Sequence, residues 1–325
     1  MLKIIFMGTP DFALPVVQAV LNSNHQLLAV VTQPDRPKGR GKLLTPPPVK
    51  VWAMENQIPV YQPLKIRGNQ DFLEKIERLN PDLIVTAAYG QILPGNLLDI
   101  PPLGCINVHA SLLPEYRGAS PIQQVLIDGR EKTGISIIYM DEGMDTGDII
   151  IQQQLAIDPE DNAGHLHGRL ADMGANMISA ILNLFVQGKP VGTPQDPKKA
   201  TYCSKIDKSM GEIQWKKSAE SICNLVRGLT PWPGVFTFNS RGRRLKVAKA
   251  LTIKCPQHGY APGTVLTADQ LNGLQVACGR DAIRIMQLQE QGGKQLSDLD
   301  YLRGNPIEVG TKLGRPENTG MNKIG

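Results

Sequence analysis

Leu2-Lys3-Ile4-Ile5-Phe6-Met7-Gly8-Thr9-Pro10, with Asp11 to Asn22 and Leu27 to Thr32 behind it, decides the fold. Leu2 to Phe6 is a short apolar run, and Gly8-Thr9-Pro10 stops it, since glycine and proline punctuate such runs. Asp11 to Asn22 carries apolar residues at helical spacing, and Leu27 to Thr32 is a second apolar run. Strand, helix, strand predicts an α/β domain with a parallel sheet and crossover helices. The second and third glycines of a dinucleotide fingerprint are missing after Gly8, so the turn is not a NAD site.

Downstream the alternation continues. Val49 to Gln57 reads as a short helix, Pro59 to Gln62 as a minor strand and Gln70 to Leu79 as an amphipathic helix. Asp82 to Ala88 is a buried strand that runs into Tyr89-Gly90-Gln91-Ile92. Ligands of open α/β sheets bind beyond the carboxyl ends of strands. The next strand ends in Ile106-Asn107-Val108-His109, where Asn107 and His109 share a face because side chains alternate. An imidazole moves protons near neutral pH, and an amide can donate to a developing oxyanion. The plain alternative is a hydrogen-bonded structural pair. Ser111-Leu112-Leu113-Pro114 and Tyr116-Arg117-Gly118-Ala119 follow, a turn that cannot continue the strand.

Thr133 to Met140 is an apolar strand expected to deliver Asp141 and Asp145 to the same strand-end rim. Asp145 would then hold or charge His109. Carboxylates at 141, 145 and 148 lack the spacing and terminal Glu of a calcium loop, so no metal is expected. Cys105 is assigned to core packing, not to nucleophilic chemistry. Ile149 to Ile157 is a further strand and Ala163 to Val186 a long helix. His165 and His167 on that helix are surface or filler residues.

The chain has 325 residues, enough for about two domains. No apolar run reaches the roughly 18 residues of a membrane span. Five scattered cysteines form no Cys-x-x-Cys, against zinc and against a secreted disulfide scaffold, and fit a reducing cytoplasm. Charge is uneven: residues 207–325 carry a net +7 and residues 1–206 a net −2. A basic second half points to an acidic partner such as nucleic acid. Residues 33–48 form a long loop in which Arg36, Lys38, Arg40 and Lys42 fall within seven positions. Such a loop suits phosphate backbones, or is a solvated insertion.

Gln187 to Ala200 is rich in Gly, Pro and Lys and reads as an interdomain connection. The expected division is 1–188, a linker at 189–206, a second domain at 207–313 and an unordered tail at 314–325. About five short strands between Val235 and Leu288 predict a small OB-like β-barrel. Arg241, Arg243, Arg244, Lys246 and Lys249 crowd one hairpin, as an RNA-facing patch or a solvated edge.

The Asn107-x-His109 pair, the Ser111-Leu112-Leu113-Pro114 turn and the loop Asp141-Glu142-Gly143-Met144-Asp145-Thr146-Gly147 together resemble the folate-dependent formyltransferases. The wider pattern, over about residues 1 to 313, is similar to the branch of that family acting on methionyl-tRNA. The resemblance implies a Rossmann-like domain without dinucleotide, followed by an OB-like domain that binds tRNA. It implies 10-formyltetrahydrofolate as donor, with Tyr89, Gly90, Gln91, Ile92, Ser111, Leu112, Leu113, Pro114 and Asp141 as its contacts. It implies the free amino group of initiator methionyl-tRNA as acceptor, with Asn107, His109 and Asp145 as the expected catalytic residues. The basic loop, with Arg40 foremost and Arg36, Lys38 and Lys42 in support, would reach the acceptor end of the tRNA. A cytoplasmic monomer is expected, with no membrane contact. A formyltransferase for an amino-sugar nucleotide or a purine precursor would use the same three residues. It would leave the basic loop and the +7 half without a purpose. A non-catalytic RNA-binding protein would have no need of the intact set.

Overall fold

A computed structural model describes residues 1–39, 41, 43–255 and 259–315. Strands β1 (Lys3–Gly8) and β2 (Gln26–Val31), with helix α1 (Ala13–Leu21) between them, build the expected opening unit. There follow β3 (Arg36–Lys38), β4 (Leu43–Thr45), α2 (Pro48–Glu55), β5 (Val60–Tyr61), α3 (Gln70–Leu79), β6 (Leu83–Ala87) and α4 (Gly95–Leu98). Next come β7 (Cys105–His109), β8 (Arg117–Gly118), α5 (Pro121–Ile127), β9 (Lys132–Tyr139), β10 (Ile149–Ala156), α6 (Ala163–Phe185) and β11 (Tyr202–Cys203). Residues 1–121, 131–158 and 165–204 form one compact unit. Residues 122–130 and 159–164, with the chain from Lys205 onward, form a second.

The first unit is built on a seven-stranded sheet of order β10-β9-β7-β6-β1-β2-β5. Its central strands carry continuous apolar runs, as expected when both faces are covered: Ile4, Ile5, Phe6 and Met7 are all fully buried. Gly8 ends β1 because a side chain there would strike the Phe6 ring and Ala13. Helix α3 starts where the Asn69 side chain accepts from the Phe72 amide, and it stops at Asn80 in the left-handed region.

Strands β5, β2, β1, β6 and β7 are mutually parallel, whereas β9 pairs antiparallel with β7 and β10 antiparallel with β9. Strand β9 enters the sheet at the carboxyl end of β7 and runs back along it. His109 therefore lies opposite Ser136, and Ile106 opposite Tyr139. Strand β9 consequently ends beside the start of β7, away from the rim it was expected to reach. The loop 140–148 turns back to bring Asp145 to the rim. The basic loop also differs from expectation, because β3 and β4 pair as a short antiparallel ribbon within it. Arg40, Lys42 and the Lys38 side chain lie outside the described residues.

In the second unit α7 (Ala219–Gly228) precedes β12 (Val235–Phe238), β13 (Arg244–Ile253), β14 (Val265–Asp269), β15 (Gly273–Ala277), β16 (Ala282–Glu290), β17 (Gln295–Ser297) and α8 (Asp298–Gly304). The strands form an antiparallel sheet of order β12-β13-β16-β15-β14, with β17 on β16, around an apolar core. A break in register around Ala248 lets Leu245, Val247 and Ala250 all face inward, and leaves Arg244 and Lys249 exposed. Gly314 and Arg315, at the start of the expected tail, are held: Arg315 forms a fork with the Glu212 carboxylate at 2.7 Å and lies over Phe238. Residues 316–325 lie outside the described residues. Among the described residues no helix is long and apolar enough to cross a membrane.

Candidate active site

A cavity of about 540 Å³ opens where β6 and β7 end and the 140–148 loop folds back. Its lining includes Thr86, Ala88 to Leu93, Asn107 to Ala110, Gly118, Ala119, Ile138 to Asp141 and Gly143 to Thr146. The three residues singled out in sequence, Asn107, His109 and Asp145, all line it.

Thr86 sits on β6 beside Asn107 and is fully buried. Its hydroxyl lies 2.8 Å from Asn107 Oδ1, its shortest polar contact. Held this way, the amide keeps its oxygen on Thr86. Its Nδ2 has no acceptor among the described residues and carries two hydrogens for a ligand.

His109 is buried, and its Nε2 lies 3.0 Å from the Tyr116 carbonyl. A carbonyl only accepts, so Nε2 carries hydrogen and the neutral ring presents its lone pair at Nδ1. Nδ1 faces Asp145 Oδ1 at 3.6 Å, beyond a direct hydrogen bond and within ion-pair range. The orientation expected to come from Asp145 thus comes from the Tyr116 backbone. The Asp145 carboxylate is fixed by its other oxygen, which accepts from the Gly118 amide at 2.8 Å.

The backbone around the cavity is unusual. Ala88 (φ 47°), Tyr116 (φ 59°) and Asp145 (φ 54°) lie in the left-handed region, uncommon for residues with a Cβ. Such conformations persist only where surrounding contacts over-determine them, and they concentrate at functional sites. Gly118 (φ 113°) needs to be glycine twice over, since a Cβ would strike the Cys203 carbonyl.

Tyr89 to Leu93 edge the cavity with backbone outside helix or strand. The Tyr89 ring is packed in the apolar cluster with Phe72, Leu93 and Leu97, and burial pushes its phenol up from the ordinary range. The Gln91 side chain is taken by Leu64 and Ile66, so Gln91 offers backbone only. Ile92 is exposed, and Asp141 accepts from the Gly143 amide and the Thr146 hydroxyl. Ser111 to Pro114 do not line the cavity. The Ser111 hydroxyl donates to the Glu115 carbonyl, and Ser136 bridges Ser111 and Leu113 behind the site. Burial, and then the nearby Asp99 carboxylate, pushes the Cys105 thiol up to about 12. Among the described residues no three His, Cys, Asp or Glu side chains are grouped to hold a metal.

Of the basic residues, Arg36 is exposed and reaches Gln33 at 3.3 Å. Arg244 lies over the Phe236 ring at 3.5 Å, Arg243 pairs with Glu290 at 3.2 Å, and Lys249 is bound to Glu160. Arg241 is exposed and Lys246 half-buried.

Sequence reading missed Thr86, the Tyr116 carbonyl and the Gly118 amide. Only Thr86 left a signal, as the lone hydroxyl in the run Leu83-Ile84-Val85-Thr86-Ala87. The other two are backbone groups and leave none.

Comparison with known proteins follows the same division. Residues 2–182 match the family described as Formyl transferase, and residues 205–306 match Formyl transferase, C-terminal domain. The chain is 46% identical over 97% of its length to the methionyl-tRNA formyltransferase of Geotalea daltonii, covering 99% of that protein. It is 45% identical over 96% of its length to the methionyl-tRNA formyltransferase of Clostridioides difficile, covering all of it. Among solved structures, the N-formyltransferase of Helicobacter canadensis with folinic acid and dTDP-3-aminofucose superposes with TM-score 0.66. That pair is 18% identical over 89% of this chain and all of the other. HypX of Aquifex aeolicus with tetrahydrofolic acid gives 0.58 at 15% identity, over 93% of this chain and 47% of the other. At such identities the two structures speak for the fold alone.

Proposed function

The chain belongs to the formyltransferase family, and on that premise we propose that it carries the formyl group of 10-formyltetrahydrofolate to the free amino group of methionyl initiator tRNA. The product is N-formylmethionyl-tRNA for translation initiation. The observation that carries the chemistry is the convergence on one cavity of a free amide donor on Asn107, a basic Nδ1 on His109 and the Asp145 carboxylate.

The methionine amine attacks the formyl carbon, and the carbonyl electrons move onto oxygen. Asn107 Nδ2 donates to that oxyanion, an interaction strongest in the transition state. His109 Nδ1 takes the proton that the amine sheds, and Asp145 steadies the imidazolium. The same proton returns to the folate nitrogen as the carbon–nitrogen bond breaks. One proton leaves an amine and one joins an amine, so a single shuttle closes the cycle and no covalent enzyme intermediate forms.

The pterin ring would meet the N–H and C=O groups of Tyr89 to Ile92, which line the same cavity as Asp141. Ser111 to Pro114 support this site from behind. The basic segment 36–42, with Arg36, Lys38, Arg40 and Lys42, engages the acceptor end of the tRNA. Arg241, Arg243, Arg244, Lys246 and Lys249 give phosphate contacts from an OB-like domain. The enzyme acts as a cytoplasmic monomer.

The test offers 10-formyltetrahydrofolate with methionyl initiator tRNA, with a dTDP-amino sugar and with a glycinamide ribonucleotide in parallel. Formyl-methionine on the tRNA is the expected product. Formylation confined to either small acceptor would overturn the assignment.

A further inference from the structure

We propose that Gln195, locked by Arg117, is a positioning residue that holds Asp145 in its reactive geometry. The inference rests on the formyl-transfer assignment above. Gln195 lies in the Gly-, Pro- and Lys-rich stretch expected to serve as a linker. In the structure that stretch is tied to the catalytic turn. Thr193 pairs with Ile149, and Tyr202 and Cys203 pair with Arg117 and Gly118.

Gln195 Nε2 donates to two carbonyls, those of Asp145 and Gly147, each at 2.8 Å. Its Oε1 accepts from Arg117 Nε at 3.1 Å and Nη2 at 2.7 Å. A guanidinium can only donate, so the amide of Gln195 has one orientation: oxygen to Arg117, nitrogen to the turn. Arg117 is 4% exposed and has no carboxylate within ion-pair distance among the described residues. Its remaining contacts are the Tyr202 hydroxyl at 3.3 Å and the Tyr202 ring. A charge-assisted fork to a neutral amide is a strong, directional bond, and burial keeps water from competing for it.

The consequence falls on Asp145. Its left-handed backbone is unfavourable for a residue with a Cβ and needs external support. Gln195 grips the carbonyls at 145 and 147, on both sides of Thr146, while Gly118 grips the carboxylate. Arg117 and Gly118 are neighbours, so one short strand fixes Asp145 by its backbone through Gln195 and by its side chain directly. Asp145 Oδ1 is left with its 3.6 Å separation from His109 Nδ1.

The test uses Gln195→Glu. A carboxylate keeps and strengthens the bond to Arg117, so the fold is retained, but it has no hydrogen for the two carbonyls and repels them. The expected result is a kcat lower by on the order of 10²-fold, the effect of a displacement of about 1 Å at a reacting group. KM for both substrates should be unchanged, and amide exchange at 145–147 should be faster in the substrate-free protein. In an Asp145→Asn background the same change should have little further effect, because its target is already removed. Arg117→Lys, which keeps the charge and loses the fork, should repeat the pattern. A parental kcat in Gln195→Glu would overturn the inference, as would a loss that persists in full in the Asp145→Asn background. Should the parent protein itself transfer no formyl group, the functional assignment fails, and exchange at 145–147 alone still decides the clamp.

Discussion

Thr86→Val probes the oxyanion donor without touching it. Thr86 is fully buried, and its hydroxyl donates to Asn107 Oδ1 at 2.8 Å, with the Ile106 carbonyl as a longer acceptor at 3.1 Å. Valine keeps the shape of the side chain and removes that bond. The Asn107 amide can then rotate and present its oxygen to the position where the oxyanion forms. A hydrogen bond of this kind contributes about 1 kcal/mol net, which is roughly a fivefold bias between the two orientations. Deleting an oxyanion donor outright lowers kcat by about 10²–10³-fold. Losing that bias leaves the two orientations equally populated, so Thr86→Val should lower kcat by about twofold, with KM for both substrates unchanged, and Asn107→Ala should show the full loss. The assay is steady-state formyl transfer at saturating donor and methionyl-tRNA, with thermal unfolding to check the fold. A parental kcat for Thr86→Val would refute the assignment of Thr86 as the group that orients Asn107. A loss equal to that of Asn107→Ala would show that Thr86 does more than orient.

Other outcomes are equally specific. Burial holds the Cys105 thiol up to about 12, so iodoacetamide at pH 8 should label it only on unfolding, and Cys105→Ala should keep kcat; rapid labelling of the folded protein contradicts this. Hydrogen bonding from His167 holds the Asp11 carboxyl below its usual range. The charged form is then favoured in the native state, so the stabilisation is present above the unfolded value near ~4 and is lost as pH falls through the lower native value. Asp11→Asn should flatten the acid limb of stability by a small amount, since the side chain is largely exposed, and an unchanged limb would remove the pair from the account. Neutralising Arg241 and Lys246 together should weaken tRNA binding and lower the log–log salt slope by about one unit for each phosphate left without its cation. Lys249→Ala should do less because Glu160 already holds that ammonium, whereas Arg40→Ala should lower turnover at saturating tRNA; a parental salt slope in the double variant would put the RNA path elsewhere.

Much of the fold was legible because its cues are local. The run Ile4-Ile5-Phe6-Met7, short and stopped by Gly8-Thr9-Pro10, fits a doubly covered strand, and Asn69 and Asn80 bound α3 through contacts with their own helix. The orientation of β9 was not legible. It depends on the side from which the chain re-enters the sheet after residue 131, and the apolar pattern of Thr133 to Met140 is the same in either direction. The ribbon at 36–45 escaped notice because three-residue strands carry too little alternation to register. In the site, Asn107, His109 and Asp145 announced themselves by residue type. What fixes them did not: a backbone carbonyl, a backbone amide and a glutamine in a polar stretch acquire meaning only through tertiary contacts.

We propose that His109 Nδ1 and Asp145 together move the proton during formyl transfer. The most direct test is the single-turnover rate of formyl-methionyl-tRNA formation at saturating donor and tRNA, for the parent, His109→Ala and Asp145→Asn. Transfer by the parent is expected, with rates at least ~10²-fold lower in both folded variants and tRNA and folate affinities retained. A parental rate in either variant would contradict it.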